Sequence, residues 1–281
     1  GLIARSTDPF FFAPSGPPPV REFTPGYLDH TRRGMWESTA ALAPLDLGSR
    51  ERVLDAGCGT GELARVLAAE TPGEVVGVDA DTALLAVARE RTDVPTVAGD
   101  ATRLPLRDDA VDLAVCQALL INLPDPAAAV REFSRVSSDL VAAIEPNNAA
   151  VEVSSTVDAE ERLEREVREA YLAGVETDVA MGERVPDLFE TAGIEVVDRR
   201  TYRHEKLVEP PYSEPAMESA ARKASGAGIA EHERELRAAG ADYDELRAAW
   251  REMGRAVVDE MGEGAYRRRE VVPFEVTVGR V

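Results

Sequence analysis

The chain has 281 residues, of which 44% are hydrophobic, enough for one large α/β domain or for one domain with a sizeable accessory element. Its 52 acidic and 32 basic residues give a formal net charge of −20, which argues against broad nucleic-acid binding because phosphate contacts need a basic footprint. No apolar run approaches the roughly 18 residues that span a bilayer, and two cysteines, Cys58 and Cys116, make neither a disulfide scaffold nor a zinc-ligand spacing.

Arginine carries nearly all of the positive charge, since lysine occurs only at Lys206 and Lys223. An acidic, lysine-poor surface is typical of proteins from salt-loving archaea, in which dense carboxylates keep protein molecules hydrated and apart. The composition therefore predicts a halophilic protein that unfolds at low salt. Full stability in salt-free buffer would contradict this prediction.

The first 45 residues are predicted as a leader followed by a cap helix. The stretch "FFFAPSGPPPV" is aromatic and then proline-rich, and it lacks the basic start and the long apolar segment of a signal peptide. We expect a flexible or polyproline-like leader to a cytoplasmic protein. Residues 20–45 predict one helix ahead of the sheet, with Met35, Trp36 and Leu42 on its apolar side.

From residue 51 onward, short β-branched runs alternate with amphipathic stretches, which predicts a parallel sheet flanked by helices. Each predicted strand ends near a turn or a polar residue, and the five strands are "RVLDAG", "EVVGVD", "PTVAGD", "VDLAVCQALL" and "DLVAAIEP". Three helices connect them: "GELARVLAAE", "DTALLAVARER" with Asp81 or Thr82 as N-cap, and "DPAAAVREFSRVS" with Pro126 in its first turn.

Beyond residue 150 the pattern loosens. Two amphipathic helices are predicted, "DAEERLEREVREAYLAG" and "ERVPDLFETAG". The long alternating runs "IEVVDRRTYRHEKLV" and "EVVPFEVTVGRV" predict an antiparallel pair of strands. Between these two strands, residues 209–269 are rich in Ala, Glu and Arg and have a helical period.

The segment "VLDAGCGTG", residues 53–61, ends the first predicted strand in three alternating glycines. Such a turn lets the backbone approach a ligand and directs helix N–H groups at it. The dinucleotide fingerprint would need a glycine at position 62, which is Glu62, and no Gly-Lys-Ser/Thr of a phosphate-binding loop is present. Carboxylates at Asp55 and Glu62 would repel a pyrophosphate and suit a ligand that carries an ammonium or sulfonium group.

Two further acids end the next two strands. Asp79 lies 22 residues after Gly57, where an acid accepts from both hydroxyls of a ribose. Asp100, in "AGDATRLPL", can accept from an exocyclic amine such as adenine N6. With Asp55, these acids close three adjacent strands at their C-terminal edge, the crevice in which open α/β sheets bind ligands.

These motifs resemble the class I S-adenosylmethionine-dependent methyltransferases, and most closely the branch with the ubiquinone- and menaquinone-biosynthesis enzymes. The resemblance covers residues 50–150 and is carried by "VLDAGCGTG", "GVDAD", "AGDATRLPLRDDAVD" and "LPDP". It implies a Rossmann-like, doubly wound sheet of seven strands, mostly parallel with an antiparallel last strand, and S-adenosyl-L-methionine as the cofactor. The sequence suggests no metal.

The resemblance also implies roles for matching residues. The turn at Gly57, Cys58 and Gly59 would approach the methionine portion of the cofactor, with Asp55 near its amino group. Arg33, in the segment ahead of the first strand, is a further candidate for cofactor binding.

The nucleoside end of the cofactor would be held by the strands that follow. Asp79 with Ala80 would bind the ribose, and Asp100 with Ala101 the adenine. Gln117 would line the site after the fourth strand.

Methyl transfer from a sulfonium is an in-line displacement, and the enzyme mainly aligns the nucleophile, the methyl group and the sulfur. A general base is needed only if the acceptor must lose a proton. The resemblance places acceptor contacts in three regions, and the catalytic candidates there are Tyr27, His30 and Glu145. Asn122, Asn147 and Asn148 are further candidates for contact with the acceptor.

The chain is predicted to divide into a leader and cap helix (1–45), a methyltransferase domain (46–208 and 270–281) and a helical insert (209–269). We expect the insert to form a lid or a wall of the substrate pocket, with a dimer interface as the second choice. Two arginine-rich stretches, "RRTYRHEK" and "YRRRE", are either exposed strand faces or anchors for an anionic acceptor.

The predicted function is methyl transfer to a small-molecule acceptor by a monomer or homodimer without a membrane span. The arginine-rich stretches keep an RNA- or protein-modifying methyltransferase open as an alternative. A cofactor-binding protein without turnover is a second alternative. A NAD-dependent oxidoreductase is disfavoured by the glycine spacing.

Overall fold

A computed structural model of the chain describes residues 35–36, 38–174 and 180–281. Its strands are, in chain order, β1 (Arg52–Ala56), β2 (Glu74–Asp79), β3 (Thr96–Ala98), β4 (Val111–Gln117), β5 (Ser137–Pro146), β6 (Glu152–Ser155), β7 (Glu195–Val208) and β8 (Arg268–Arg280). Its helices are α1 (Glu62–Glu70), α2 (Thr82–Arg91), α3 (Pro126–Val136), α4 (Asp158–Gly174), α5 (Met181–Thr191), α6 (Glu214–Ser225), α7 (Ala227–Ala230), α8 (Glu233–Ala238) and α9 (Tyr243–Gly262). None of these helices is long and apolar enough to cross a membrane.

The strands form one mixed sheet in the order β3-β2-β1-β4-β5-β8-β6, with β7 on the other edge of β8. Strands β1 to β5 pair in parallel, whereas β8 runs antiparallel to β5 and β7. The predicted Rossmann-like sheet with an antiparallel last strand is therefore confirmed. The eighth strand, β6, was not predicted because "EVSS" is short and has a single apolar residue; it pairs with the part of β8 that extends past β5.

Alternating side chains of the parallel strands supply two apolar cores, one on each face of the sheet. Val53 of β1 belongs to one core, with Leu67 of α1, while the adjacent Leu54 belongs to the other, with Phe133 of α3. This alternation follows from the period of two in a strand. Because both faces are covered, β4 is buried along almost its whole length, as its continuous apolar run predicts.

A third apolar core lies away from the sheet faces, among α4 and the helices that follow β7. Trp250 of α9 is its largest fully buried side chain, and it shares this core with Val167 and Tyr171 of α4. Helix α4 thus buries its apolar side among the helices of residues 209–269. We propose that the accessory unit includes α4 as well as the predicted insert.

A buried set of charged side chains joins this helical part to β7 and β8, and we call it the charge cluster. It consists of Glu160, Glu164, Lys206, Lys223, Arg268 and Glu270, with the hydroxyl of Tyr266. Lys223 donates to Glu160 and to Glu164 (2.6 Å), and Arg268 donates to Glu164 (2.8 Å). Three positive charges face three negative ones, so the cluster is neutral as a whole.

The two carboxyls of α4 in the cluster differ, since burial raises the pKa of Glu164 while neighbouring charges lower that of Glu160. Burial alone would raise the pKa of the Glu160 carboxyl, but the Lys223 and Arg268 charges outweigh it and lower that pKa to about 2. Both lysines of the chain belong to this cluster, so the rare residue is used where a compact buried charge meets carboxylates.

Most of the helix predicted over residues 20–45 lies outside the described residues. In the described part, the chain forms a short 3-10 helix at Ala40–Leu45 rather than an α-helix, and Pro44 lies within it. Trp36 has φ 68°, in the left-handed region. This conformation costs a residue with a side chain about 1–2 kcal/mol, so other contacts must hold Trp36 in place.

Candidate functional site

The glycine turn after β1 has the geometry that only glycine adopts easily. Gly57, Gly59 and Gly61 have φ values of 73°, 53° and 82°. The N–H of Gly57 donates to the carbonyl of Val78 on β2 (2.7 Å), which holds the turn against that strand. A Cβ at Gly57 would lie 2.7 Å from Cδ1 of Leu119, so a side chain there would also collide with the segment after β4.

Asp79, at the end of β2, is tied to both neighbouring loops by backbone donors. Its Oδ2 accepts from the N–H of Gly59 (2.8 Å), and its Oδ1 accepts from the N–H of Asp81 (2.8 Å). These two bonds orient both carboxylate oxygens at the end of the strand. The glycine turn and the predicted ribose acid therefore form one rigid unit.

The third acid, Asp100, follows β3 and is exposed, next to the buried Ala101. Its Oδ1 accepts from the backbone N–H (2.8 Å) and the hydroxyl (2.7 Å) of Thr102. These bonds fix the carboxylate at the strand end, and within the described residues Oδ2 is left to accept from a ligand amine. Ala80, next to Asp79, is also exposed.

Asp55 occupies the centre of the same edge and is only 1% exposed. It lies in register with Gly77 on β2 and with Val115 on β4. Its charge also reaches Cys116, although burial is the main cause that raises the pKa of that thiol. Cys58, within the glycine turn, is buried as well.

Gln117 ends β4 beside the glycine turn. Ala56, the last residue of β1, is in register with Cys116 of β4, so Gln117 ends β4 next to the point at which the glycine turn begins. Gln117 is 2% exposed, and its Oε1 accepts from the indole N–H of Trp36 (3.2 Å). The predicted cofactor residues of β1, β2, β3 and β4 therefore meet at one edge of the sheet.

Residues 54–139 match the family model described as "Methyltransferase domain". A demethylmenaquinone methyltransferase from Lactiplantibacillus plantarum is 38% identical over 104 residues, which is 34% of this chain and 44% of that protein. A demethylmenaquinone methyltransferase from a Mycobacterium species is 39% identical over 95 residues, 34% of this chain and 40% of that protein. The matched region thus spans about two fifths of the length of these curated relatives.

Residues 54–139 of this chain therefore form a methyltransferase domain. Among solved structures, a SAM-dependent methyltransferase from Aquifex aeolicus is 21% identical, with a TM-score of 0.41; the match covers 60% of this chain and 81% of that one.

Three residues predicted to act in the methyltransferase domain, Tyr27, His30 and Arg33, lie outside the described residues. Their roles as catalytic or cofactor-binding residues stay predictions. Among the residues that the structure does describe, no group of three or more His, Cys, Asp or Glu side chains could hold a metal ion.

Glu145, the third catalytic candidate, is fully buried at the end of β5. Its Oε1 accepts from the backbone N–H groups of Leu119 (2.9 Å) and Leu120 (2.8 Å), and its Oε2 from that of Ile121 (3.3 Å). A carboxylate that accepts from three backbone donors is fixed in place and orients the segment after β4. We propose that Glu145 positions this segment, which contacts the glycine turn through Leu119, rather than serving as a general base.

The asparagines that follow β5 are both buried, at 5% exposure. The Asn147 amide donates from Nδ2 to Glu183 on α5 (2.6 Å), and this contact leaves its Oδ1 without a hydrogen-bond partner among the described residues. The Nδ2 of Asn148 has no partner there either. Buried polar atoms without partners are costly, so these two atoms remain candidates for contact with an acceptor; Asn122 instead donates to the carbonyl of Ala118 (2.8 Å).

The two arginine-rich stretches are largely neutralised by carboxylates. On β7, Arg203 pairs with Glu152 at 2.7 Å. On β8, Arg269 pairs with Glu205 at 2.8 Å, while Arg268 is buried in the charge cluster. These pairs support the interpretation of the stretches as strand faces rather than anion anchors.

Sequence reasoning missed the role of Trp36, Tyr202 and Leu119 around the site. The sequence predicts Trp36 on the apolar side of a helix, whereas its indole N–H donates to Gln117 and its ring stacks on Tyr202 of β7 at 4.9 Å. These partners lie far along the chain from Trp36, and no local pattern signals them. The positive φ at Trp36 is likewise invisible in the sequence.

Proposed function

We propose that this protein transfers a methyl group from S-adenosylmethionine to a small-molecule acceptor. The observation that carries the proposal is the set of Asp55, Asp79 and Asp100 at the ends of three adjacent strands, beside a glycine turn with no phosphate-binding features. These carboxylates can accept from an ammonium group, from ribose hydroxyls and from an exocyclic amine. The family match over residues 54–139 supports the same cofactor.

The glycine turn and Asp79 have a geometry that fits this cofactor. Gly57 has φ 73°, and Leu119 packs where a Cβ would lie, so only glycine fits at this point of the turn. Asp79 is held at the end of β2 by backbone N–H groups, one of them from the glycine turn itself.

When bound, S-adenosylmethionine supplies an electrophilic methyl group on a sulfonium. The chain's own contribution is to fix the donor through the glycine turn and the three acids, and to orient the segment after β4 through Glu145. If the acceptor must lose a proton, Tyr27 and His30 stay the predicted bases, since Glu145 is engaged by backbone donors.

Two observations favour a small-molecule acceptor over RNA. The similar curated proteins are named demethylmenaquinone methyltransferases, and the arginine-rich stretches of this chain are paired with carboxylates. The predicted lid or pocket-wall role of residues 209–269 remains part of the proposal.

The decisive experiment is calorimetry with S-adenosylmethionine, S-adenosylhomocysteine and NAD, in low-salt and high-salt buffer. We expect both sulfur nucleotides to bind and NAD not to bind. Asp79→Asn should weaken binding at least tenfold, because it removes the charge that accepts from the ribose. Glu74→Gln is the matched control: it removes a carboxylate from the opposite, exposed end of the same strand and should leave affinity within twofold.

Failure of the wild type to bind either sulfur nucleotide in both buffers would overturn the proposal. Binding without methyl transfer to any acceptor in a screen of quinols, phenols and amines would favour the cofactor-binding alternative. Nucleic acid retained on purification and released by nuclease would favour the RNA-modifying alternative.

A further inference from the structure

Trp36 has an unfavourable backbone conformation next to the edge of the sheet where Asp55, Asp79 and Asp100 lie. We call this the cofactor edge. The Trp36 φ of 68° is rare for a bulky aromatic residue, and such outliers cluster at functional sites. Trp36 is 6% exposed, so contacts with buried neighbours maintain this strained conformation.

Three contacts fix Trp36 in this conformation. Its backbone N–H donates to the hydroxyl of Tyr202 (3.2 Å), and its ring stacks on the Tyr202 ring at 4.9 Å and 22°. Its indole N–H donates to Oε1 of Gln117 (3.2 Å). The contacts with Tyr202 fix the orientation of the indole ring, and the indole N–H then fixes the orientation of the Gln117 amide.

The indole bond dictates which way the Gln117 amide faces. An indole N–H is only a donor, so it must face the amide oxygen and not the amide nitrogen. The nitrogen, Nε2, is thereby turned the other way, with one hydrogen toward the sulfur of Met35 (2.9 Å). The second hydrogen is the one left for a ligand at the glycine turn, because Gln117 follows Cys116, which is in register with Ala56, the residue before that turn.

We propose that Trp36 is a positioning residue for the cofactor, which acts by fixing the Gln117 amide so that its nitrogen donates to the ligand. This inference rests on the proposed function and adds to it a residue from outside the matched region of 54–139. It predicts that a substitution of Trp36 changes cofactor affinity only while Gln117 is present.

The test is a double-mutant cycle on the affinity for S-adenosylhomocysteine, measured by calorimetry. Trp36→Phe keeps an aromatic ring on Tyr202 but removes the indole N–H, and should weaken binding about fivefold; Gln117→Ala should weaken it about tenfold. The double variant should bind within twofold of Gln117→Ala. Trp250→Phe is the matched control, since it alters the other tryptophan of the chain in the third apolar core and should bind like the wild type.

Two results would overturn the inference: Trp36→Phe binding within twofold of the wild type, or a double variant about fiftyfold weaker, as independent effects require. If Trp36→Phe does not fold, the inference is tested by the tryptophan fluorescence of the Trp250→Phe variant. In the Trp250→Phe variant Trp36 is the only indole of the chain, and its emission should change on saturation with S-adenosylhomocysteine. An unchanged emission would contradict the inference, whereas a wild type that binds no S-adenosylhomocysteine would overturn the proposed function instead.

Discussion

Two regions of this protein hold carboxylates in place, and their partners differ. At the cofactor edge, Asp79 and Glu145 accept from backbone N–H groups of neighbouring loops. In the charge cluster, Glu160 and Glu164 accept instead from the side chains of Lys223 and Arg268. The first arrangement ties its carboxylates to the loops at the strand ends, while the second uses its carboxylates to join helices α4 and α6 to strand β8.

The difference has an energetic consequence. Backbone donors are lost only on substitution to proline, so we expect the sheet edge to tolerate other side-chain changes around it. The charge cluster depends on a few side chains, and loss of one leaves its partners charged and buried. We therefore expect the largest single-residue losses of stability in the helical part and the largest losses of ligand affinity at the sheet edge.

The largest expected effect follows from Lys223→Met. The substitution leaves Glu160 and Glu164 buried without the ammonium that both carboxylates face, and should lower the free energy of unfolding by about 3–5 kcal/mol. Denaturant titration in high-salt buffer measures this loss. Lys206→Met is the control, because Lys206 is more exposed than Lys223 and its partner Glu270 keeps the bond from Arg268 at 2.7 Å; its cost should be about 1 kcal/mol. Equal losses of stability in the two variants would mean that Lys223 is no more important to the charge cluster than Lys206.

A second prediction concerns His232, which packs edge-on against Tyr171 in the helical part. Burial lowers the pKa of His232 from 6.5 to about 4. As pH falls below 6.5, the unfolded chain takes up a proton at this site while the native chain does not, so stability is lost as pH falls toward 4. Between pH 7 and pH 5 this loss should be about 2 kcal/mol.

The measurement for His232 is the free energy of unfolding at pH 7 and at pH 5. The wild type should lose about 2 kcal/mol more over this interval than His232→Phe, in which the site cannot titrate. The same pH dependence in both proteins would place the proton uptake elsewhere in the chain.

The third prediction separates affinity from stability at the glycine turn. Gly57→Ala should lower stability by about 1 kcal/mol through its positive φ and weaken S-adenosylhomocysteine binding about tenfold, because its Cβ meets Leu119. Gly240→Ala has a similar φ of 81° but no heavy atom within 4 Å of the added Cβ. It should share the loss of stability, seen in a thermal melt, and keep full affinity, seen by calorimetry. Weaker binding in both variants would mean that the turn at Gly57 has no special role.

The smallest effect is expected for Arg203→Ala on β7. The pair of Arg203 with Glu152 is about half exposed on both sides, and such surface pairs contribute little. Stability should change by no more than about 0.5 kcal/mol, as denaturant titration can show. A larger loss would mean that the arginine-rich stretches contribute more to stability than the exposed face of a strand does.

The position of the three acids at one edge of the sheet follows from signals that are local in the sequence. The partners of Asp79 are 20 residues back and two residues ahead, and Asp100 is fixed by Thr102 two residues later. Strand ends, helix caps and glycine spacing all act over such distances. The N-cap predicted at Asp81 or Thr82 is Asp81, which accepts from the N–H groups of Ala83 and Leu84.

What the sequence could not predict depends on distant pairs. Lys223 and Glu160 are 63 residues apart, and Trp36 and Gln117 are 81 apart. The local sequence does not show that Glu160 is buried and Glu161 beside it exposed, since both lie on a charged helix. The engagement of Glu145 by backbone donors after β4 is hidden for the same reason.

The pairing of β7 with β8 runs without interruption from Arg199 opposite Thr277 to Val208 opposite Arg268. The chain between Val208 and Arg268 therefore leaves and re-enters the fold at two points about 5 Å apart. A connection between such ends needs as few as two residues, and lengthening it adds only slowly to the entropy of loop closure. This junction is a natural grafting point, at which a segment of different length and shape can be exchanged while the donor-binding edge, at the far side of β5, stays unaltered.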